Sequence, residues 1–281
     1  MTVTLDEIKK KCSEERYFAY DSLQDRMFVP LALHLVWLFV RLGVSGNAVS
    51  WLSALVAVLG AFLLTSSDSL VILIGSFGYI LWYLLDYVDG AVARFNGKGS
   101  VTGQYVDWIM HVIAHVAIIA GIAIGAMKSV GPWIYPFAIL GIVAAGLAYA
   151  KFSMAWFAIC MEQQQRRASG HDVQNGAKTE IVGAPDRLWS LFDYIRRLAV
   201  LIFHENWLIL TLPLLATAQF FQVFGAIDFR VVFTIIAGSL YFPVQVLEIH
   251  RLVITKRIQR GYSELFSPDH IPGLPNDHFF K

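Results

Sequence analysis

Charge is scarce in this sequence: Asp, Glu, Lys and Arg make up 15% of its 281 residues, against 57% hydrophobic types. A water-soluble domain of this length could not hide that balance in one core. Neither sign dominates either. The formal net charge is +1, whereas a nucleic-acid binder shows a basic patch or stripe, so that class is excluded first. Cysteine is nearly absent, and Cys12 and Cys160 stand far apart with no Cys/His spacing around them. This excludes a disulfide framework or a zinc site as the organising feature. The N-terminal stretch lacks the apolar run of a cleavable signal peptide and instead carries Lys9, Lys10, Lys11, Glu14, Glu15 and Arg16. A retained, cytosolic N-terminus is expected. No repeat of the solenoid or inverted-transporter kind is visible.

What the sequence has in abundance is long apolar runs. A bilayer core about 30 Å thick needs roughly 20 apolar residues in a helix. Six runs meet that length with charges only at their ends: Asn47 to Thr65, Leu70 to Asp89, Ile109 to Met127, Trp133 to Phe157, Leu198 to Phe220 and Val232 to Leu252. Phe28 to Leu42 is shorter, contains Pro30 and His34 and ends near Arg41, the pattern of an amphipathic helix at the interface, with full spanning as the alternative. One set of connections (Ser66 to Ser69, Lys128 to Pro132, Gln222 to Arg230) holds only Lys128 and Arg230. The opposite set holds Arg94, Lys98, Arg166, Arg167, Lys178, Arg187, Arg196, Arg197, Lys256, Arg257 and Arg260. Because cytoplasmic flanks collect Lys and Arg, the second set and both termini are expected in the cytosol. The expected fold is all-α: a polytopic membrane protein of six transmembrane helices preceded by an interfacial amphipathic helix. Residues 1–27 form a cytosolic segment, 28–253 the membrane domain with a cytosolic loop at 162–197, and 254–281 a cytosolic tail. Any partner is expected to be lipid rather than nucleic acid.

Ionised carboxylates inside an apolar span cost several kcal/mol unless something meets them, so Asp residues there are functional candidates by default. Asp86 and Asp89 close the second run on one helical face, and Asp107 opens the third after the short polar crossing Asn96 to Thr102. The three can therefore converge at one boundary, where their mutual repulsion calls for a hard divalent cation with oxygen ligands. Gly90 and Ala93 leave room for a ligand at the same helix end. Arg94 offers a planar fork suited to phosphate.

These residues carry a resemblance. Asp86, Asp89, Gly90, Ala93, Arg94, Gly103 and Asp107 match, in order and spacing, seven of the eight fixed positions of D-x2-D-G-x2-A-R-x8-G-x3-D-x3-D, which resembles the signature of the CDP-alcohol phosphotransferases. Ser45-Gly46-Asn47-Ala48-Val49-Ser50 is similar to that family's Thr-Pro-Asn-containing opening of the first span. The resemblance covers roughly Phe28 to Val253, with diagnostic residues only between Ser45 and Asp107. It implies a CDP-alcohol donor whose diphosphate lies across Mg2+ or Mn2+ held by Asp86, Asp89 and Asp107. Gly90, Ala93 and Gly103 would line the nucleotide pocket, with Arg94 at phosphate. An alcohol or lipid acceptor would attack the phosphorus bearing the donor's alcohol and expel CMP, and the protein would work in phospholipid or related lipid biosynthesis, in a bacterial plasma membrane and as a homodimer. One position departs: the fourth Asp of the signature is His111. In the family that Asp belongs to the metal site and takes the acceptor's proton. Imidazole accepts protons near neutral pH but is a poorer magnesium ligand than carboxylate. His111 is thus expected to act as base, with the second metal position weakened or retuned toward manganese.

Other polar residues have competing readings. Lys151 could bind an acceptor phosphate or snorkel to the interface. His115, one turn beyond His111, could hydrogen-bond that imidazole but reads first as a satisfied core histidine, and Glu248 with Arg251 reads as an internal ion pair before a substrate contact. Gly121 and Gly125 read as a close-packing pair, and Arg166 and Arg167 as headgroup contacts or positive-inside charge. A catalytically impaired lipid-binding relative remains an alternative to the enzyme. A transporter would place its charges nearer the midplane, and an aspartate-rich prenyltransferase gives the Gly90, Ala93, Arg94, Gly103 spacing no role.

Overall fold

The computed structural model describes residues 3–14, 23–97, 99–150, 187–223, 225 and 227–254, and these are helical with no strand among them. In chain order the helices are α1 (Leu5–Glu14), α2 (Leu23–Arg41), α3 (Gly46–Leu64), α4 (Ser69–Phe95) and α5 (Val101–Val130). They continue with α6 (Pro132–Ala150), α7 (Arg187–Phe203), α8 (Glu205–Phe220) and α9 (Phe229–Ile254). Five of them (α3, α4, α5, α6 and α9) are long and apolar enough to cross a membrane, so the chain is an integral membrane protein. Residues 192–203 of α7 and 207–220 of α8 meet that test only together, and they are bent by 61° at the break between them. The count is six if this bent pair is one span.

Two expected boundaries move. The second and third apolar runs were bounded by their charges, at Asp89 and Ile109, but the helices run on to Phe95 and start at Val101. Helix-forming Ala91, Ala93 and Arg94 continue α4. The Ser100 hydroxyl caps α5 by accepting from the Gly103 N–H at 3.0 Å. Only a short link separates the two helices, reversed with the help of Gly97 at φ 65°. With 27 and 30 residues, α4 and α5 are about 40–45 Å long, more than the roughly 30 Å hydrocarbon core. Their polar ends can therefore reach the interface as rigid helix.

The expected loop at 162–197 is corrected at its C-terminal end, where α7 begins at Arg187. Phe192, Ile195, Ala199 and Phe203 recur at helical spacing; Ala199 and Phe203 are fully buried, and Ile195 packs on the core. The charged residues between them disguised the amphipathic face. The boundary expected between 27 and 28 falls inside α2. α1 is also part of the body: Ile8 and Cys12 are buried with Val29, Val36, Leu85 and Val92, and the Lys11 ammonium donates to the Phe95 carbonyl at the end of α4.

The core is organised around α3, which packs against both α4 and α5. At Gly60 a Cβ would come within 2.9 Å of the Gly75 carbonyl, and at Gly78 within 2.9 Å of the Gly60 Cα. At Gly121 it would sit 2.3 Å from the Ala61 carbonyl, so the close-packing reading of Gly121 holds. Gly125 faces Arg230 and the Leu64 carbonyl. Arg230 is buried, paired with Asp228 at 2.7 Å, and donates to the carbonyls of Leu64 and Ser66 at 2.7 Å each. It thereby satisfies orphan acceptors at the end of α3. Within α9 a π-helical segment, Ala237–Tyr241, sets Gly238 against the α6 backbone at Phe137. Gly121→Ala should therefore force α3 and α5 apart and lower stability by about 1–3 kcal/mol, the usual cost of overpacking. The check is thermal unfolding of the detergent-purified protein.

Candidate functional site

Both halves of the motif lie on helix, and the site is built where those helices meet. α4 carries Asp86, Asp89, Gly90, Ala93 and Arg94 on its last turns, and α5 carries Gly103, Asp107 and His111 on its first. Asp86, Asp107 and His111 converge, with one ligand atom from each lying within 4.8 Å of the others. The His111 Nε2 stands 2.8 Å from Asp86 Oδ1 and 3.5 Å from Asp107 Oδ1. Side-chain exposure rises from 16% at His111 through 21% at Asp86 to 46% at Asp107, so the cluster opens to the outside on the Asp107 side. Two carboxylates at such separations repel by roughly 3 kcal/mol at an effective dielectric near 20. A cation between them, whether a proton on the imidazole or a metal ion, relieves this.

Asp89 is placed differently. It is buried and accepts a 2.5 Å hydrogen bond from the Ser50 hydroxyl of α3, so it stands outside the three-residue cluster. Ser50 is the most direct residue that the sequence reading did not assign a role. Its presence in the Ser45 to Ser50 stretch, one turn inside α3, was the available signal. Gly46 of the same stretch lies against α4, where a Cβ would come within 2.7 Å of the Asp89 carbonyl and 2.8 Å of the Ala93 Cβ. The small size of Ala93 therefore serves the approach of α3 to α4. Gly90 and Gly103 are more permissive. A Cβ at Gly90 would meet only the Arg94 guanidinium, at 3.2 Å, and one at Gly103 would make ordinary contact with Ser100 and Asn47. Gly103 thus leaves backbone open at the start of α5, whereas the exposed Arg94 guanidinium folds over Gly90. Lys151 lies outside the described residues.

Aromatic rings pack beside the cluster from three helices. Tyr79 and Trp82 of α4 are fully buried and stack at 4.8 Å, and Trp82 meets the His111 ring edge-on at 5.3 Å. Tyr149 of α6 touches both Trp108 and His115, at 5.6 and 5.1 Å. His115 is thus packed in the core. On the flank of α4, Tyr87 donates to Asp25 of α2 at 2.5 Å, and Phe28 packs edge-on to Tyr83. Asp25 is buried, a carboxylate that the sequence reading left in the N-terminal segment. Farther along the chain, Arg251 pairs with Asp193 at 2.5 Å and Glu248 with Arg196 at 3.6 Å. These charges join α9 to α7, where a pair within α9 had been expected.

A cavity of about 580 Å3 lies among the connections at the opposite end of the helices, lined by Ser67, Ser69, Ser129, Gln219, Gln222 and Arg230 among others. None of the sequence-predicted site residues lines it. Set beside known proteins, the chain matches no family model and no curated protein. The family resemblance rests on the motif residues themselves.

An oxygen-rich set fits a divalent ion in donor chemistry, and Asp86 and Asp107 supply it, with His111 adding a nitrogen. Ser50→Ala should leave the buried Asp89 side chain without its hydroxyl partner and lower stability by about 1–3 kcal/mol, the range for a buried polar group left unsatisfied. Ser50→Thr, which keeps the hydroxyl, should lose less. Chemical unfolding of the two variants side by side reads the difference.

Proposed function

We propose that this protein transfers a substituted phosphate from a CDP-alcohol to an acceptor hydroxyl, with release of CMP, at the cytosolic face of a membrane. The observation that carries the reading is the convergence of Asp86, Asp107 and His111 at the adjoining ends of two helices, in the order and spacing of the motif. A bound divalent ion would neutralise the diphosphate and the charge developing on the leaving oxygen. Asp86 and Asp107 would hold it, and Asp89, fixed by Ser50, would set the field beside it. Gly103 would leave the backbone approachable for the nucleotide, and Arg94, folded over Gly90, would turn to meet phosphate. The acceptor's proton passes to the cluster, to His111 if that imidazole is free of metal and to Asp107 if it is not. A membrane-face position lets a soluble and a lipid substrate meet.

The 2.8 Å contact between His111 and Asp86 favours one second reading. An imidazolium there would balance the carboxylates internally and leave a lipid-binding relative without catalysis. A panel of CDP-alcohols assayed for CMP release separates the two. Turnover should require a divalent cation and stop in chelator. Asp86→Asn or Asp107→Asn should lower it by at least about 100-fold, the low end for removing a group that stabilises transition-state charge. Absence of CMP release across the panel, with metal present, would leave the non-catalytic reading standing.

For orientation we propose six spans, counting the bent α7–α8 pair as one, with α2 at the interface and the motif end in the cytosol of a bacterial plasma membrane. The uneven Lys and Arg distribution supports this. In a background lacking Cys12 and Cys160, a cysteine at Asn96 should label from the cytosolic side and one at Ser67 from the other. Labelling of both from the same side would sink the arrangement.

A further inference from the structure

We infer that the cavity at the end of the helices opposite the motif binds an uncharged, hydroxyl-rich group, the chemistry of a sugar or polyol, carried on a lipid headgroup or free in solution. This does not depend on the activity assigned to the motif end. Three connections build the cavity. Ser67 and Ser69 come from the turn between α3 and α4, Ser129 from the last turn of α5, and Gln219 and Gln222 from the end of α8. Its volume of about 580 Å3 lies within the roughly 300–1,000 Å3 of small-molecule sites.

The first observation is a glutamine where the backbone calls for glycine. α8 ends in a pair of hydrogen bonds, from the Gln222 N–H to the Gln219 carbonyl at 3.0 Å and from the Val223 N–H to the Ala218 carbonyl at 2.9 Å. Gln222 thereby takes φ 54°, the one positive φ outside glycine among the described residues. Glycine closes this motif without the strain. What glutamine adds is an exposed amide on the cavity wall, with no hydrogen-bond partner among the described residues.

The second observation is the set of donors and acceptors around it. The hydroxyls of Ser67, Ser69 and Ser129 also have no partner among the described residues. The Gln219 Oε1 accepts from the Phe229 N–H at 3.2 Å, which leaves the N–H pair of that amide for an occupant. Arginine carries five N–H donors. In Arg230, Nε and one Nη2 donor meet the Asp228 carboxylate, and both Nη1 donors meet the carbonyls of Leu64 and Ser66. The fifth, on Nη2, has no acceptor among the described residues, although Arg230 is 3% exposed and lines the cavity.

The third is the charge balance, which decides the class of ligand. Asp228 and Arg230 are the charged residues among those lining the cavity, and they pair at 2.7 Å. An anion would meet a guanidinium whose charge is already balanced, and a metal ion would meet a carboxylate already engaged. Hydroxyls and amides both donate and accept, and a sugar or polyol offers the same on each hydroxyl. The surroundings lie at headgroup depth: Phe221, Val223 and Ile227 stand exposed in the adjoining connection, with Trp133 and Tyr135 exposed at the start of α6.

The test places the full chain in phosphatidylcholine nanodiscs, where no sugar-bearing detergent competes. Monoglucosyl diacylglycerol, diacylglycerol and phosphatidate with the same acyl chains are compared by native mass spectrometry of the retained lipid. Water-soluble methyl glucoside and inositol are compared by saturation-transfer nuclear magnetic resonance. The glucosyl lipid should be retained over both other lipids if the source is a headgroup, and the soluble probes should bind if the source is free. Gln222→Gly should weaken the binding by about three- to tenfold, the worth of one or two hydrogen bonds. The same variant should leave the melting temperature unchanged or higher, because glycine suits that backbone. Ser129→Ala removes an exposed hydroxyl, not a structural contact, and should weaken binding by a similar factor. Failure of every sugar and polyol probe to bind overturns the inference, as does a preference for phosphatidate. So does sugar binding that both variants leave unchanged.

Discussion

α3 can lie directly on α4 and on α5 only because Gly60, Gly75, Gly78 and Gly121 carry no Cβ at the points of contact. Everything at the candidate site follows from that approach. α4 and α5 make few contacts with each other along their lengths and are held in register chiefly by the helix wedged against both. Without an aqueous driving force between spans, such backbone proximity and its dispersion contacts are what hold membrane helices together. The wedge also delivers Ser50 to Asp89, so the residue that anchors one carboxylate belongs to the element that sets the distance between the other two.

The two ends of the bundle handle their charges in opposite ways. At the end away from the motif, Arg230 is tied to Asp228 and to the last carbonyls of α3, and Lys128 donates to the Thr65 carbonyl and hydroxyl. Both basic residues of that face thus act as helix caps, bound to fixed acceptors. At the motif end Asp86, Asp107 and His111 lie together, and exposure increases toward Asp107. An end whose basic residues are tied to helix carbonyls and an open, acid-rich end are what a protein would need if it keeps one face chemically inert and works at the other.

Much of this was readable from the residues. The apolar runs, the Lys and Arg asymmetry and the motif spacing gave the helical membrane class and brought Asp86, Asp107 and His111 into one neighbourhood. Periodicity could not say which of two carboxylates on one helical face would turn toward α5 and which toward α3; Asp89 turned to Ser50, a contact 39 residues distant in sequence. Charges at the ends of runs were poor guides to helix ends, because α4 and α5 continue as helix through their polar turns. Asp193, Arg196 and Arg197 hid the amphipathic face of α7 in the same way. Asp25 escaped because it precedes the apolar stretch of α2, and its value as a partner for Tyr87 exists only once α2 lies on α4.

The His111 position also changes the charge of the whole site. Where the signature has a fourth carboxylate, this chain has a group that is neutral or positive, so the cluster carries less negative charge than an all-aspartate version and needs less cationic charge to hold it together. With Asp89 hydrogen-bonded to Ser50, two carboxylates face the imidazole, and in the proposed metal-bound state one divalent ion would match their charge. Counted in the same way, with Asp89 set aside, an Asp at position 111 would make three carboxylates, and a single divalent ion would leave them one negative charge. In the proposed reading, that one position thus sets how much cationic charge the cluster calls for.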